Sequence, residues 1–263
     1  MIEACVDSVD AAVGAERAGA GRVELCADLV EGGATPSAGM IAVTCERLTI
    51  PVFVMVRPRG GDFLYSSAER ATMMRDIATA RQLGAKGIVV GALSPDGSVD
   101  VEATRAFVEA ARPLAVTFHR AFDLTRDLPK SLDAVVECGV ARVLTSGGAQ
   151  KAVEGIEMLA ALAERARDRM SVMAGGGIDA RAATMILERT GIRELHVGGA
   201  RFGESAMRFR RPEISFARAP LPDEYTLATP DDARLRAVVE ATRRGLSAPG
   251  SEERPRRYRS GSP

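Results

Sequence analysis

The feature that most constrains the fold is an eightfold alternation in which a short apolar run is followed by a longer segment with helical spacing. The apolar runs fall at residues 2–6, 23–26, 52–57, 87–93, 114–119, 142–146, 171–175 and 194–197. Between them, sets such as Met73, Ile77 and Ala80, or Val153, Ile156, Leu159 and Ala163, recur at the three- and four-residue spacing of an amphipathic helix. Strands joined through crossover helices have to run parallel. Eight such units, with no break in composition, predict an α/β protein: a (β/α)8 TIM-type barrel forming a single domain over residues 1–244. A doubly wound open sheet is the competing architecture, and it would require some of the eight runs not to be strands.

The punctuation between units is consistent with this reading. Ser66 with Glu69 fits a capping box, and Thr35 before Pro36 fits an N-cap followed by proline at the first helical position. Gly19, Gly84, Gly139 and Gly191 stand where helices should end in a left-handed residue. Residues 201–230 read as irregular. The segment 231–244, with Leu235, Val238, Val239 and Thr242 on one side, reads as the eighth helix. Residues 245–263 lack an apolar face and read as a disordered, locally basic tail.

Charge and cysteine content narrow the function classes. Lysine plus arginine and aspartate plus glutamate number 35 each in 263 residues, which speaks against nucleic-acid and membrane-surface partners. No apolar run approaches the ~20 residues of a membrane span, and the first residues lack the basic start of a signal peptide. Four cysteines without close pairs read as reduced thiols. The expected location is the cytoplasm.

In a barrel, side chains at strand C-termini line the working face, and strand parity assigns them. Glu3 and Cys5, Glu24 and Cys26, Met55 and Arg57, Thr117 and His119, and Glu194 and His196 fall on the inferred lumen face. Buried carboxylates need partners, so Glu24 and Arg57 on neighbouring strands are an expected ion pair or substrate clamp. Arg57-Pro58-Arg59-Gly60-Gly61-Asp62 reads as an anion-binding loop, because guanidinium forks match carboxylate or phosphate and glycine admits close backbone approach. His119 is a candidate proton-transfer group with Arg120 and Asp123 nearby to set its charge, and Glu24 is a second candidate. Thr145 and Ser146 lie at the glycine loop after the sixth strand, Gly175, Gly176 and Gly177 follow the seventh, and His196 ends the eighth; the loops after strands seven and eight are where barrels commonly hold phosphate. Cys5 and Cys26, at matching heights on adjacent strands, could share a soft metal ion, two thiolates suiting Cu(I). The alternative for them is simple packing as small apolar side chains. Cys45 and Cys138 read as packing residues.

Several of these segments together resemble the CutC family: Glu3-Ala4-Cys5-Val6-Asp7-Ser8, Arg22-Val23-Glu24-Leu25-Cys26, Glu31-Gly32-Gly33-Ala34-Thr35-Pro36-Ser37, Arg57-Pro58-Arg59-Gly60-Gly61-Asp62-Phe63, Val116-Thr117-Phe118-His119-Arg120-Ala121-Phe122-Asp123 and Arg142-Val143-Leu144-Thr145-Ser146-Gly147. The resemblance spans about residues 1 to 244. It implies a cytoplasmic TIM-type barrel that takes part in copper homeostasis and self-associates as a dimer or tetramer. It also implies that Cys5 and Cys26 match the positions proposed to hold Cu(I) in animal members. One departure is His196-Val197-Gly198-Gly199, where family members often carry His-Ser-Ser or His-Cys-Ser. Two functions are therefore expected. One is Cu(I) binding. The other is an enzyme acting on a small anionic or phosphorylated substrate, with Arg57 and Arg59 as clamps and the loop from Gly175 to Gly177 on the phosphate.

Overall fold

The computed structural model describes residues 1–198, 200–216 and 223–247. Eight parallel strands close on themselves: β1 (Ile2–Val6), β2 (Arg22–Leu25), β3 (Val52–Met55), β4 (Gly87–Val90), β5 (Ala115–Phe118), β6 (Arg142–Thr145), β7 (Ser171–Gly175) and β8 (Glu194–Gly198). Strand β8 returns to pair with β1, with Glu3 opposite His196. The helices are α1 (Val9–Arg17), α2 (Ala38–Arg47), α3 (Ser67–Gln82), α4 (Val101–Ala111), α5 (Leu128–Glu137), α6 (Ile156–Ala166), α7 (Ala180–Thr190) and α8 (Asp232–Ser247). This is the (β/α)8 barrel that the alternation predicts.

Several strands stop earlier than their apolar runs. Val56, Ala92 and Leu93 are buried beyond the ends of β3 and β4, because the loops leaving the barrel are themselves packed, so an apolar run outlasts its ladder. Side chains alternate as expected. Ala4, Val6, Val23, Leu25, Val54 and Ile88 face the helices, whereas Cys26, Phe53, Met55 and Val89 form a separate lumen cluster. Fully buried residues such as Leu25 and Ile88 each contribute about 1.5–3 kcal/mol by leaving water.

Local chemistry starts and stops the helices. The capping box of Ser66 and Glu69 is present at α3. Thr35 is not a cap: Ser37 starts α2 by accepting from the Met40 amide, while Thr35 brackets Arg57 at the end of β3 through both main chain and hydroxyl. Gly19, Gly84, Gly139 and Gly191 all take positive φ where helices end.

The stretch that reads as irregular is partly ordered. Strands β9 (Ala200–Glu204) and β10 (Thr226–Pro230) pair antiparallel as a two-stranded ribbon, a non-local pairing that no short turn signals in the sequence. Helix α8 buries Leu235, Val238, Val239 and Thr242 on one face, as its spacing predicts. Residues 248–263, most of the expected tail, lie outside the described residues, as does Gly199. Among the described residues, no helix is long and apolar enough to cross a membrane.

Candidate metal and anion site in the barrel lumen

Charged residues in β1, β2, β6 and β8 build the floor of the lumen. Arg22 donates to Glu3 and, at 2.8 Å, to Glu194, while Arg142 bonds Glu194 at 2.6 Å and Ser171 donates to its other oxygen at 2.6 Å. Both guanidinium groups lie over the ring of Phe53, at 4.8 and 5.5 Å from its centroid. Burial works against the charge on Glu194. The hydrogen bonds from Ser171 and Arg22 and the charge of Arg142 outweigh it and hold the pKa at about 2. Sequence parity puts Glu3 and Glu194 in the lumen but does not reveal this network; the available signal was that arginine and glutamate occupy strands that are otherwise apolar.

One layer above, five titratable groups meet. His196 Nδ1 lies 2.8 Å from Glu3 Oε1, and its Nε2 lies 3.7 Å from Glu24 Oε2. Cys26 directs its Sγ at Glu24 Oε2, 3.6 Å away, and Cys5 Sγ is 3.9 Å from Cys26 Sγ. One ligand atom each from Cys5, Glu24 and His196 fall within 4.8 Å of one another. This cluster holds more acidic groups than its single imidazole can balance, so the groups divide the protons among them. The hydrogen bond with Cys26 draws the Cys5 thiol well below its usual range, whereas the same contact and burial push Cys26 well above it. Burial and then the charge on Cys5 raise Glu24 well above the carboxylate range. Burial opposes a charge on His196, but Glu24, Cys5 and Glu3 outweigh burial and raise its pKa well above that of a free imidazole.

The expected ion pair between Glu24 and Arg57 is absent. Arg57 instead gives Nη1 to the carbonyls of Glu31 and Gly33 and Nη2 to that of Gly61. Gly32 and Gly33 turn through positive φ just here, which leaves these carbonyls pointing inward and makes Arg57 the tie between the loops after β2 and β3. Among the described residues, no carboxylate pairs with Arg57. Its guanidinium lies over the ring of Phe63, 4.9 Å from the centroid.

His119 sits opposite. Its Nδ1 accepts from the Ala121 amide at 3.1 Å, which puts the ring hydrogen on Nε2, and that atom is buried without a partner. Burial, and after it the charge of Arg57, lower its pKa to about 3, so the ring is neutral. Arg120 and Asp123 do not hydrogen-bond to His119. They pair with each other at 2.8 Å, and Asp123 gathers Thr145, Ser146 and the Gly148 amide to shape the loop after β6.

A cavity of about 110 Å³ joins these parts, lined by Cys5, Glu24, Met55, Arg57, His119 and His196, with Phe63, Arg120, Leu144 and Gly32 completing the wall. Other sequence-nominated residues stand outside it. Arg59 is engaged by Glu69 and Asp62 and by the carbonyls of Gly60, Asp62 and Leu64, so it and Asp62 brace their own loop. Thr145, Ser146, Gly175, Gly176 and Gly177 do not line the cavity. Gly175 serves as the gap beside Leu144 and His196, since a Cβ there would stand 2.5 Å from Leu144 Cδ1. The N-terminus of α7 is already occupied by the carboxylate of its own cap, Asp179, which disfavours phosphate there. Cys45 and Cys138 pack away from the lumen, against the core behind the barrel.

Comparison with known proteins identifies the family of the chain. The CutC family model matches residues 1–201. The chain is 45% identical over 238 residues to the mouse copper homeostasis protein cutC homolog, covering 90% of this chain and 88% of that protein. It is 43% identical over 243 residues to a family protein CutC of Mesorhizobium japonicum, covering 92% and 94%. Among solved structures, the putative copper homeostasis protein CutC from Streptococcus agalactiae superposes with a TM-score of 0.72 at 35% identity, over 75% of this chain and 97% of that one. The chain belongs to the CutC family.

Proposed function

We propose that this CutC-family protein takes Cu(I) between Cys5 and Cys26 at the base of the lumen cavity. The observation that carries the reading is the 3.9 Å separation of the two sulfurs, with the His196 imidazole within 4.8 Å of Cys5 as a third soft or borderline donor. The contact with Cys26 draws Cys5 toward the thiolate, and a metal ion would displace the protons that Cys26 and the His196 ring retain. Copper at such a site is cargo rather than a resident cofactor. Anaerobic titration against a strong Cu(I) competitor should show one site in the native protein and its loss in the Cys5→Ser, Cys26→Ser double variant. Equal affinity in the two proteins would remove the reading. The four free thiols support a reducing, cytoplasmic setting. Self-association through the exposed Met207, Phe209 and Phe216 is also proposed, and a monomer in light scattering at all concentrations would contradict it.

A second reading, an enzyme acting on a small anionic substrate, is favoured by a different observation. Arg57 is a buried cation without a carboxylate partner, and it lines the same cavity as the unpartnered Nε2 of His119. Glu24 and His119 remain the proposed proton-transfer groups. A thermal-shift screen of organic acids and sugar phosphates tests it, and a panel without any stabilising ligand counts against it.

A further inference from the structure

Two groups in the lumen cavity call for an oxygen-bearing ligand, and together they restrict its chemistry. Arg57 is 5% exposed, and its four strong contacts are to three neutral carbonyls and the Phe63 ring. Its charge is therefore uncompensated in a place where an unpaired charge is costly. His119 is 4% exposed, and its Nε2–H has no acceptor. A buried neutral N–H donor is matched by a carbonyl or hydroxyl oxygen.

We propose that the cavity binds a small monocarboxylate carrying a second oxygen on the adjacent carbon, a 2-oxo or 2-hydroxy acid, with its carboxylate at Arg57 and its second oxygen at His119 Nε2. The assignment rests on the small-anion reading above and narrows it. Size and charge both favour this class over a sugar phosphate. A cavity of about 110 Å³ has room for a handful of heavy atoms. One uncompensated cation matches a monoanion, whereas a phosphate dianion would leave a buried charge without a partner. Met55 and Leu144 supply the apolar wall for a short carbon chain.

Phe63 explains why the two groups are shut from solvent in the absence of a ligand. Its ring centroid lies 4.9 Å from the His119 ring and 4.9 Å from the Arg57 guanidinium carbon, so one side chain covers both. It sits just past Gly60 and Gly61, and Gly61 has positive φ. Entry of the acid displaces Phe63 from its place between the two donors.

Isothermal titration of the full-length, metal-free protein with pyruvate, L-lactate, propionate and inorganic phosphate tests the assignment. Pyruvate or lactate should bind one-to-one and about tenfold more tightly than propionate, the difference that one additional satisfied buried donor makes. His119→Phe keeps a ring against Phe63 but removes the donor, so it should erase that preference. Arg57→Leu should lose all the carboxylates; circular dichroism reports whether it folds, and the His119→Phe ratio stands independently of it. Phosphate binding without pyruvate or lactate binding would overturn this assignment and leave the small-anion reading intact. Binding of none of the four would overturn both. An unchanged pyruvate-to-propionate ratio in His119→Phe would overturn the role given to His119.

Discussion

Glu3 holds His196 by a 2.8 Å contact at Nδ1, across the seam where β8 closes against β1. The contact turns the other ring nitrogen toward Glu24 and Cys5, so the ionic floor of the barrel orients a member of the layer above it. Glu3 is thus a positioning residue. Glu3→Gln should lower Cu(I) affinity by about 10–100-fold, the usual effect of removing a partner behind a metal-binding imidazole. Competition titration measures this, and native-like affinity would show that His196 is not part of the site.

Glu194 serves both Arg22 and Arg142, so Glu194→Gln leaves Arg142 without a carboxylate and Arg22 with Glu3 alone among the described residues. A loss of about 3–5 kcal/mol is expected from chemical denaturation, as when one member of a buried ion pair is removed. The pH dependence has a defined sign. The folded-state pKa is held at about 2, below the ordinary glutamate value of 4.5, so the stabilisation is complete above the unfolded value and is lost as pH falls from 4.5 toward 2. The variant should lack this part of the acid sensitivity. An identical acid-unfolding profile for the two proteins would contradict the assignment.

Thr35 should matter through Arg57 rather than through helix α2. Its Oγ1 accepts from the Arg57 amide at 3.0 Å. Thr35→Val removes that acceptor and should cost about 1–3 kcal/mol. It should also weaken carboxylate binding by loosening Arg57, whereas Ser37→Ala, at the true N-cap, should destabilise by about 1 kcal/mol with binding unchanged. Urea midpoints and titration separate the two, and matching binding losses would sink the distinction.

Gly91 is required by the ring of His119. A Cβ there would stand 2.4 Å from Cε1 and 2.5 Å from Nδ1 of a ring that is 4% exposed. Gly91→Ala should therefore cost about 1–3 kcal/mol and displace His119. Thermal unfolding together with the pyruvate-to-propionate ratio checks this; a stable variant that keeps the ratio would show that the ring can move freely.

Much of the site was legible in the chain, but unevenly. Parity alone assigned Cys5, Glu24, Met55, Arg57, His119 and His196 to the lumen face, and all six line one cavity. The glycine loops are a weaker signal, because positive φ after β6 and β7 satisfies tight turns as readily as it cradles phosphate, and at α7 the Asp179 carboxylate accepts from the Ala182 amide. Arg59 and Asp62 are weaker signals in a similar way. Arginine in a glycine-rich loop suggests a ligand, yet Asp62, three residues on, and Glu69, ten residues on in α3, engage its donors.

Residue spacing alone specifies the barrel and the face on which its polar groups lie, since strand and helix periods are local properties. Which of those groups meet depends on how the sheet closes and how its strands are offset. Glu3 and His196 are 193 residues apart and become neighbours because the sheet closes. Cys5 stands in register with Glu24, so the offset between β1 and β2 sets the distance from Cys5 to Cys26, and no local pattern encodes strand offset. Parity likewise turned Arg57 inward, but its partners became the loop carbonyls of Glu31, Gly33 and Gly61 rather than Glu24, because those carbonyls arrive from turns that are specified elsewhere in the chain.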